Sequence, residues 1–227
     1  MNKPKICIIG NIGNPNELVS DGGRVKTRLY KSILEDNGFR VNFINLHHWK
    51  YKFVFIFLRI VFICSTYNIV INMAGPKGCR RIHPILAFLK QIFKFRLIFC
   101  PLGTGVFDDL LKKNSVTDVI DFLSGKTHLD IKDNKIRSNL KHTDLIFVQT
   151  NTLKKCYEDF YDLSNVYILN NFRNCSILKK TFKENNEFHI VYCSRVKENK
   201  GIFFLLDAFI NYLIIKTCTS IFMGICS

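Results

Sequence analysis

The residues best suited to chemistry lie in Val191-Tyr192-Cys193-Ser194-Arg195-Val196-Lys197-Glu198-Asn199-Lys200-Gly201. A short apolar run ends there, a polar loop carries Arg195 and Lys200, and Gly201 opens an apolar helical pattern. Two cations at the carboxyl end of a strand, beside a helix N-terminus, can clamp a diphosphate. Each charge-assisted hydrogen bond of that kind contributes about 1.5 to 3 kcal/mol. Taken alone, the same residues also read as a solvated charge run. A second candidate is the glycine-rich stretch with Gly10, Gly13 and then Gly22-Gly23 directly before Arg24. At a helix start, free backbone N–H groups and the helix dipole suit an anion, and a plain flexible turn is the competing reading. The spacing is not GxGxxG, so a dinucleotide fingerprint is absent.

Metal and thiol chemistry find less support. His47-His48 has no third ligand spaced near it and reads as a loop pair. Nine cysteines form no CxxC pair, which argues against a structural zinc site or a disulfide framework. Cys7 and Cys64 sit inside apolar runs, where a thiol behaves as a small hydrophobe. That usage predicts a reducing compartment, the cytoplasm. No metal and no cofactor are expected. The apolar run Ile6 to Ile9 is too short for a signal peptide. Phe53 to Cys64, 12 residues carrying Arg59, falls short of the roughly 20 residues that span a bilayer and predicts a buried helix.

The elements that must position these residues alternate. Lys5 to Ile9 reads as a strand ending at Gly10, and Arg24 to Asn37 has helical spacing in Val25, Leu29, Ile33 and Leu34 before Gly38. Further strands are predicted at Arg40 to Asn45, Asn68 to Asn72, Arg96 to Cys100, Leu145 to Val148 and Val166 to Leu169, with a helix over Thr152 to Phe160. Alternation of this kind predicts an α/β fold with a parallel sheet covered on both faces. A first domain over residues 1–173, a polar linker over 174–187 and the start of a second Rossmann-like domain over 188–227 follow from the polar stretch Lys179 to Glu187 and the new strand Phe188 to Cys193, then a helix from Gly201 to Ile215.

Composition sets the outer bounds. With 227 residues, 48% hydrophobic, the chain can bury a real core, and disorder or a coiled coil is excluded. Its 33 Lys and Arg against 18 Asp and Glu give a net charge of +15. The excess is concentrated: between Asn37 and Phe107 no Asp or Glu occurs, whereas Arg40, Lys50, Lys52, Arg59, Lys77, Arg80, Arg81, Lys90, Lys94 and Arg96 do. Within that block Ile85 to Phe95 gathers Lys90, Gln91 and Lys94 on one helical face. Such a helix either packs its apolar side on the sheet with solvated lysines or rests on anionic lipid. No helix-turn-helix, RNP-type or zinc-finger pattern supports nucleic acid as the partner.

One ordered set of motifs adds context. Gly22-Gly23-Arg24, then Asp144-Leu145-Ile146-Phe147-Val148 with Thr150, Leu169-Asn170-Asn171, and Ser194-Arg195 followed by Lys200-Gly201-Ile202 and Leu206-Asp207-Ala208-Phe209 resembles the order seen in family-four glycosyltransferases of GT-B architecture. The resemblance spans roughly Lys5 to Phe209. It implies a retaining, metal-independent transfer of a sugar from a nucleotide-sugar to a saccharide or lipid-linked acceptor, as in cell-surface polysaccharide synthesis. Gly22 and Gly23 would lie against donor and acceptor. Arg195 and Lys200 would hold the donor diphosphate and stabilise the departing nucleotide, where negative charge grows in the transition state.

The pattern departs from the family in two places. Only 26 residues follow Gly201, with no Glu among them, so the glutamate pair that contacts donor sugar and ribose is missing and a truncated, impaired form is expected. Asn72-Met73-Ala74-Gly75-Pro76 and Cys100-Pro101-Leu102-Gly103-Thr104-Gly105 stand at the strand ends where the family often has a histidine, and Asp108-Asp109 is expected to open a helix. The expectation is therefore a glycosyltransferase acting in the cytoplasm, peripheral at the inner face of the cell membrane. The alternative is a non-catalytic basic Rossmann-like module that binds anionic membrane or a partner transferase.

Overall fold

The computed structural model describes residues 3–13, 22–47, 49, 51–102, 115–124, 126, 134–170, 191–192, 201–215 and 223–224. The chain divides into two compact units, Met1–Arg173 and Asn174–Ser227. In the first, β1 (Lys5–Gly10), α1 (Gly22–Asp36), β2 (Arg40–Asn45), α2 (Phe53–Thr66), β3 (Ile69–Met73), α3 (Pro76–Ile92) and β4 (Arg96–Phe99) alternate strictly. They are followed by α4 (Val116–Leu123), α5 (Asn134–Lys141), β5 (Leu145–Val148), α6 (Asn151–Lys155) and β6 (Val166–Ile168).

The six strands form one all-parallel sheet in the order β2-β1-β3-β4-β5-β6. The first unit is thus a Rossmann-like α/β unit. β1 is buried from Ile6 to Gly10, the continuous apolar signature of a strand covered on both faces. On one face Ile6, Ile8, Ile71 and Met73 pack with Tyr30 of α1. On the other, Cys7, Ile9, Val70 and Leu97 meet Ile56, Ile60 and Ile63 of α2 and Ile82, Leu86 and Leu89 of α3. Phe99, Ile146 and Val148 complete that face with Leu140, Leu153 and Tyr157.

Local signals explain several boundaries. Ser115 caps α4 reciprocally: its hydroxyl accepts from the Asp118 N–H at 3.1 Å, and the Asp118 carboxylate accepts from the Ser115 N–H at 3.1 Å. Thr150 caps α6 by accepting from the Leu153 N–H. Gly38 ends the turn after α1 at φ +74°, a left-handed conformation open to glycine at little cost. The helix expected over Thr152 to Phe160 is present from Asn151, as α6 to Lys155 and without a break as a π-helical segment over Cys156–Phe160. The stretch carries Cys156, Tyr157 and Tyr161 into the core, and Asp162 closes it at φ 51°.

Two expectations need correction. Phe53 to Cys64 is not a buried helix: only Ile56, Ile60, Ile63 and Cys64 of α2 are buried, and its opposite side is exposed. The lysine face predicted over Ile85 to Phe95 is also not simply solvated. Lys90 is half-buried, 2.6 Å from the Asp144 carboxylate, and donates to the His142 carbonyl at 2.9 Å, whereas the apolar Phe88 and Ile92 point outward. No described helix is long and apolar enough to cross a membrane.

In the second unit the described residues form a strand–helix–strand: β7 (Val191–Tyr192), α7 (Ile202–Ile215) and β8 (Met223–Gly224), with β7 and β8 parallel. Gly201 precedes α7 at φ +74°. Ile202 is buried, while Phe203, Phe204 and Ile210 are exposed. The linker stretch Lys179 to Glu187 and Asp108-Asp109 lie outside the described residues.

Candidate functional site

In a doubly wound sheet, ligands bind outside the carboxyl ends of the strands where the strand order reverses. Here the chain runs outward from β1 to β2, then crosses back over β1 to β3, so the reversal lies between β1 and β3. The residues that meet at this edge are Gly10 at the end of β1, Asn45 opposite it at the end of β2, Met73 and Ala74 after β3, and the first turns of α1.

Close approach fixes the glycine at the end of β1. A Cβ on Gly10 would stand 3.1 Å from Thr27 Cγ2 and 3.3 Å from Met73 Cβ, so a side chain there would press on both α1 and β3. Thr27 is fully buried and its hydroxyl donates back to the Gly23 carbonyl, one turn earlier in α1, at 2.8 Å. Gly13 has φ +73°, and a Cβ on it would lie 2.8 Å from Arg24 Nη1. The backbone conformation therefore selects glycine, whereas the guanidinium ends a flexible side chain that could give way.

The loop that follows β1 is pinned by side chains. Arg28 donates from Nε at 3.1 Å and Nη2 at 2.6 Å to the Ile12 carbonyl. Asn45 Oδ1 accepts from the N–H groups of Ile12 at 3.4 Å and His47 at 3.0 Å, and its Nδ2 donates to the Gly13 carbonyl at 3.1 Å. Asn11 Oδ1 accepts from the Gly13 N–H at 2.8 Å. Asn11 to Gly13 is thus a built structure whose shape is set by β2 and α1 together.

Charge at this edge is cationic. The first turn of α1 carries no acidic residue, and Arg24, Lys26 and Arg28 follow one another along it. Lys26 lies over the Tyr30 ring, 5.6 Å from its centroid, and near enough to Cys100, just past β4, for the two to influence each other. Burial lowers the Lys26 ammonium below its ordinary range, an effect opposed by Cys100. The Cys100 thiol is pushed up to about 12 by burial, with Lys26 acting in the other direction. At neutral pH that thiol is neutral and not a nucleophile.

Behind the same edge lies a buried polar relay. Asn72 Oδ1 accepts from the Ala74 N–H at 3.0 Å, which turns its Nδ2 toward His83 Nδ1, 3.1 Å away. The amide donates, so the ring proton sits on Nε2, 3.0 Å from the Thr143 hydroxyl and within reach of the Asn139 carbonyl. His83 is 2% exposed and its ring lies 4.8 Å from that of Phe99. Burial lowers its pKa to about 4, partly offset by the Asn139 carbonyl. With both ring nitrogens engaged, His83 holds β3, α3 and the turn before β5 together.

Of the residues singled out from sequence, Gly22 and Gly23 belong to the first turn of α1 and do not precede it as expected. A Cβ on Gly22 would meet nothing within 4 Å, so crowding does not require glycine there. Arg195 and Lys200 lie outside the described residues, and so does His48. Among the described residues no group of three His, Cys, Asp or Glu side chains could hold a metal ion. Asn45, Arg28 and Lys26 were not anticipated. Arg28 stands one helical turn after Arg24, a spacing visible in sequence, whereas Asn45 had no signal beyond its place at a strand end. Compared with known families and curated proteins, the chain matches no family model and no curated relative.

Proposed function

We propose that this chain is a glycosyltransferase of GT-B type that uses a nucleotide-sugar as donor and a saccharide or lipid-linked acceptor. The observation that carries the reading is the edge between β1 and β3, where a pinned loop, Asn11 to Gly13, faces a helix opened by Gly22 and Gly23 and bearing cations but no acid in its first turn. A phosphate-bearing substrate suits that edge, because backbone N–H groups and the α1 dipole favour negative charge there. The ordered motifs around Arg195 and Lys200 supply the second half of the reading, with both cations on the donor diphosphate and no metal required.

Each residue then has a role. Gly22 and Gly23 let substrate approach the α1 backbone. Arg195 and Lys200 neutralise the leaving diphosphate as the bond from the sugar breaks. Calorimetric titration of the full chain with UDP-, GDP- and dTDP-sugars tests the proposal. One class of nucleotide-sugar is expected to bind, and Arg195→Ala or Lys200→Ala is expected to weaken it roughly tenfold or more. Absence of binding by every nucleotide-sugar, or binding indifferent to both substitutions, overturns the assignment.

A further inference from the structure

α2 presents a surface that the fold leaves uncovered. Its sequence, Phe-Val-Phe-Ile-Phe-Leu-Arg-Ile-Val-Phe-Ile-Cys-Ser-Thr, has one charged residue, Arg59. A helix apolar nearly all round belongs in a fully buried environment. Yet only one side of α2 packs on the sheet, and Val54, Phe55, Leu58 and Phe62 are 70%, 62%, 60% and 65% exposed. These four lie within one helical stripe, opposite Ile56, Ile60 and Ile63. Tyr51 just before α2, and Phe88 and Ile92 of the neighbouring α3, are exposed as well. An apolar surface of this extent marks an interaction site.

The charges around the stripe decide what covers it. Arg59 lies over the Phe55 ring, 6.0 Å from its centroid, and Arg81 lies over Trp49 at 5.3 Å, whose ring meets Phe53 edge-on at 6.0 Å. Lys52, Lys94 and Arg96 are exposed on the same stretch of chain, which contains no Asp or Glu from Asn37 to Phe107. Symmetric pairing of two copies through α2 would set these cations against one another, and the stretch that carries them has no Asp or Glu to relieve them. A surface both apolar and uniformly negative at its boundary satisfies both features. At 14 residues α2 is too short to span a bilayer, so it would lie in the interface plane.

We infer that the outer face of α2 docks on an anionic lipid bilayer, with Val54, Phe55, Leu58 and Phe62 entering the acyl boundary and Lys52, Arg59 and Arg81 meeting lipid phosphates. The assignment moves membrane contact from the Lys90 face of α3, where Lys90 is held by Asp144, to α2. It stands on α2 alone and not on the transferase reading, and vesicle binding and nucleotide-sugar binding fail separately.

The test is co-sedimentation of the full chain with phosphatidylcholine vesicles and with vesicles that contain roughly a third phosphatidylglycerol. Binding to the anionic vesicles alone, weakened by salt, is expected. The combined substitution Phe55→Ser, Leu58→Ser, Phe62→Ser touches only exposed side chains and should weaken binding roughly tenfold or more. Charge reversal by Lys52→Glu with Arg59→Glu should also weaken it, independently of any effect of the serine variant on folding. Trp49 is the one tryptophan and adjoins α2, so brominated phosphatidylcholine in the anionic vesicles should quench its fluorescence. Equal binding to both vesicle types, binding unchanged by either variant, or a dimer that dissociates in the serine variant without any lipid binding would each overturn the inference.

Discussion

Protonation of His83 should cost this protein stability over a defined pH range. The ring is buried and neutral, with its pKa lowered from 6.5 to about 4 by desolvation. In the unfolded chain the same imidazole takes up a proton near its ordinary value, so between about pH 6.5 and 4 the unfolded state binds more protons. Stability from this group is therefore complete above pH 6.5 and lost as pH falls toward 4. Between pH 7 and pH 5 the loss is about 2 kcal/mol, from about 1.4 kcal/mol per pH unit once the unfolded group is largely protonated. A His83→Gln variant stays neutral throughout. At pH 7 it should be less stable by about 1 to 3 kcal/mol, because Asn72 and Thr143 keep imperfect partners. Urea unfolding of both proteins at pH 7 and pH 5, followed by circular dichroism, isolates the effect, since every other titrating group is common to the two. The wild type should lose about 2 kcal/mol more than the variant between these pH values. An equal loss in both would refute the buried neutral histidine and the relay built on it.

Other perturbations probe the sheet edge and the core. Asn45→Ala removes the side chain that accepts from Ile12 and His47 and donates to Gly13, and should lower stability by about 1 to 3 kcal/mol and speed amide exchange at Ile12, as read by hydrogen-exchange mass spectrometry. Asp144 accepts from the Leu97 N–H at 2.6 Å as well as facing Lys90, so Asp144→Ala should lower the unfolding free energy read from urea titration by about 2 kcal/mol after allowance for its partial exposure. Burial pushes Cys7, Cys64 and Cys100 up to about 12 and Cys156 to about 11. Iodoacetamide at about pH 8 should spare these four thiols in the folded protein and modify them in urea, each site being read by mass spectrometry.

Strand positions were legible because parallel strands buried on both faces are short apolar runs bounded by polar residues. Arg40–Asn45 and Leu145–Val148 coincide with their predicted bounds, and β1 extends one residue further, to Gly10. α2 was misread for a related reason. Apolarity on every side of a helix carries no record of which side meets the sheet, so Val54 and Ile56 look alike until the fold buries one of them. Lys90 shows the opposite difficulty. Its helical spacing placed it on the polar face, but its partner Asp144 is far along the chain, and only the sheet brings α3 beside the start of β5. At the candidate site, Gly10, Gly13, Gly22 and Gly23 were visible as residue types. Their environment was not, because the pinning of Asn11 to Gly13 depends on one asparagine at the end of β2 and one arginine on α1.

The most direct test of the account is amide hydrogen exchange of the full chain with and without a saturating nucleotide-sugar, resolved along the sequence. Added protection is expected at Asn11 to Gly13, at Gly22 to Arg24, and through the segment containing Arg195 and Lys200. Protection confined to other parts of the chain, or no change with any nucleotide-sugar, would contradict it.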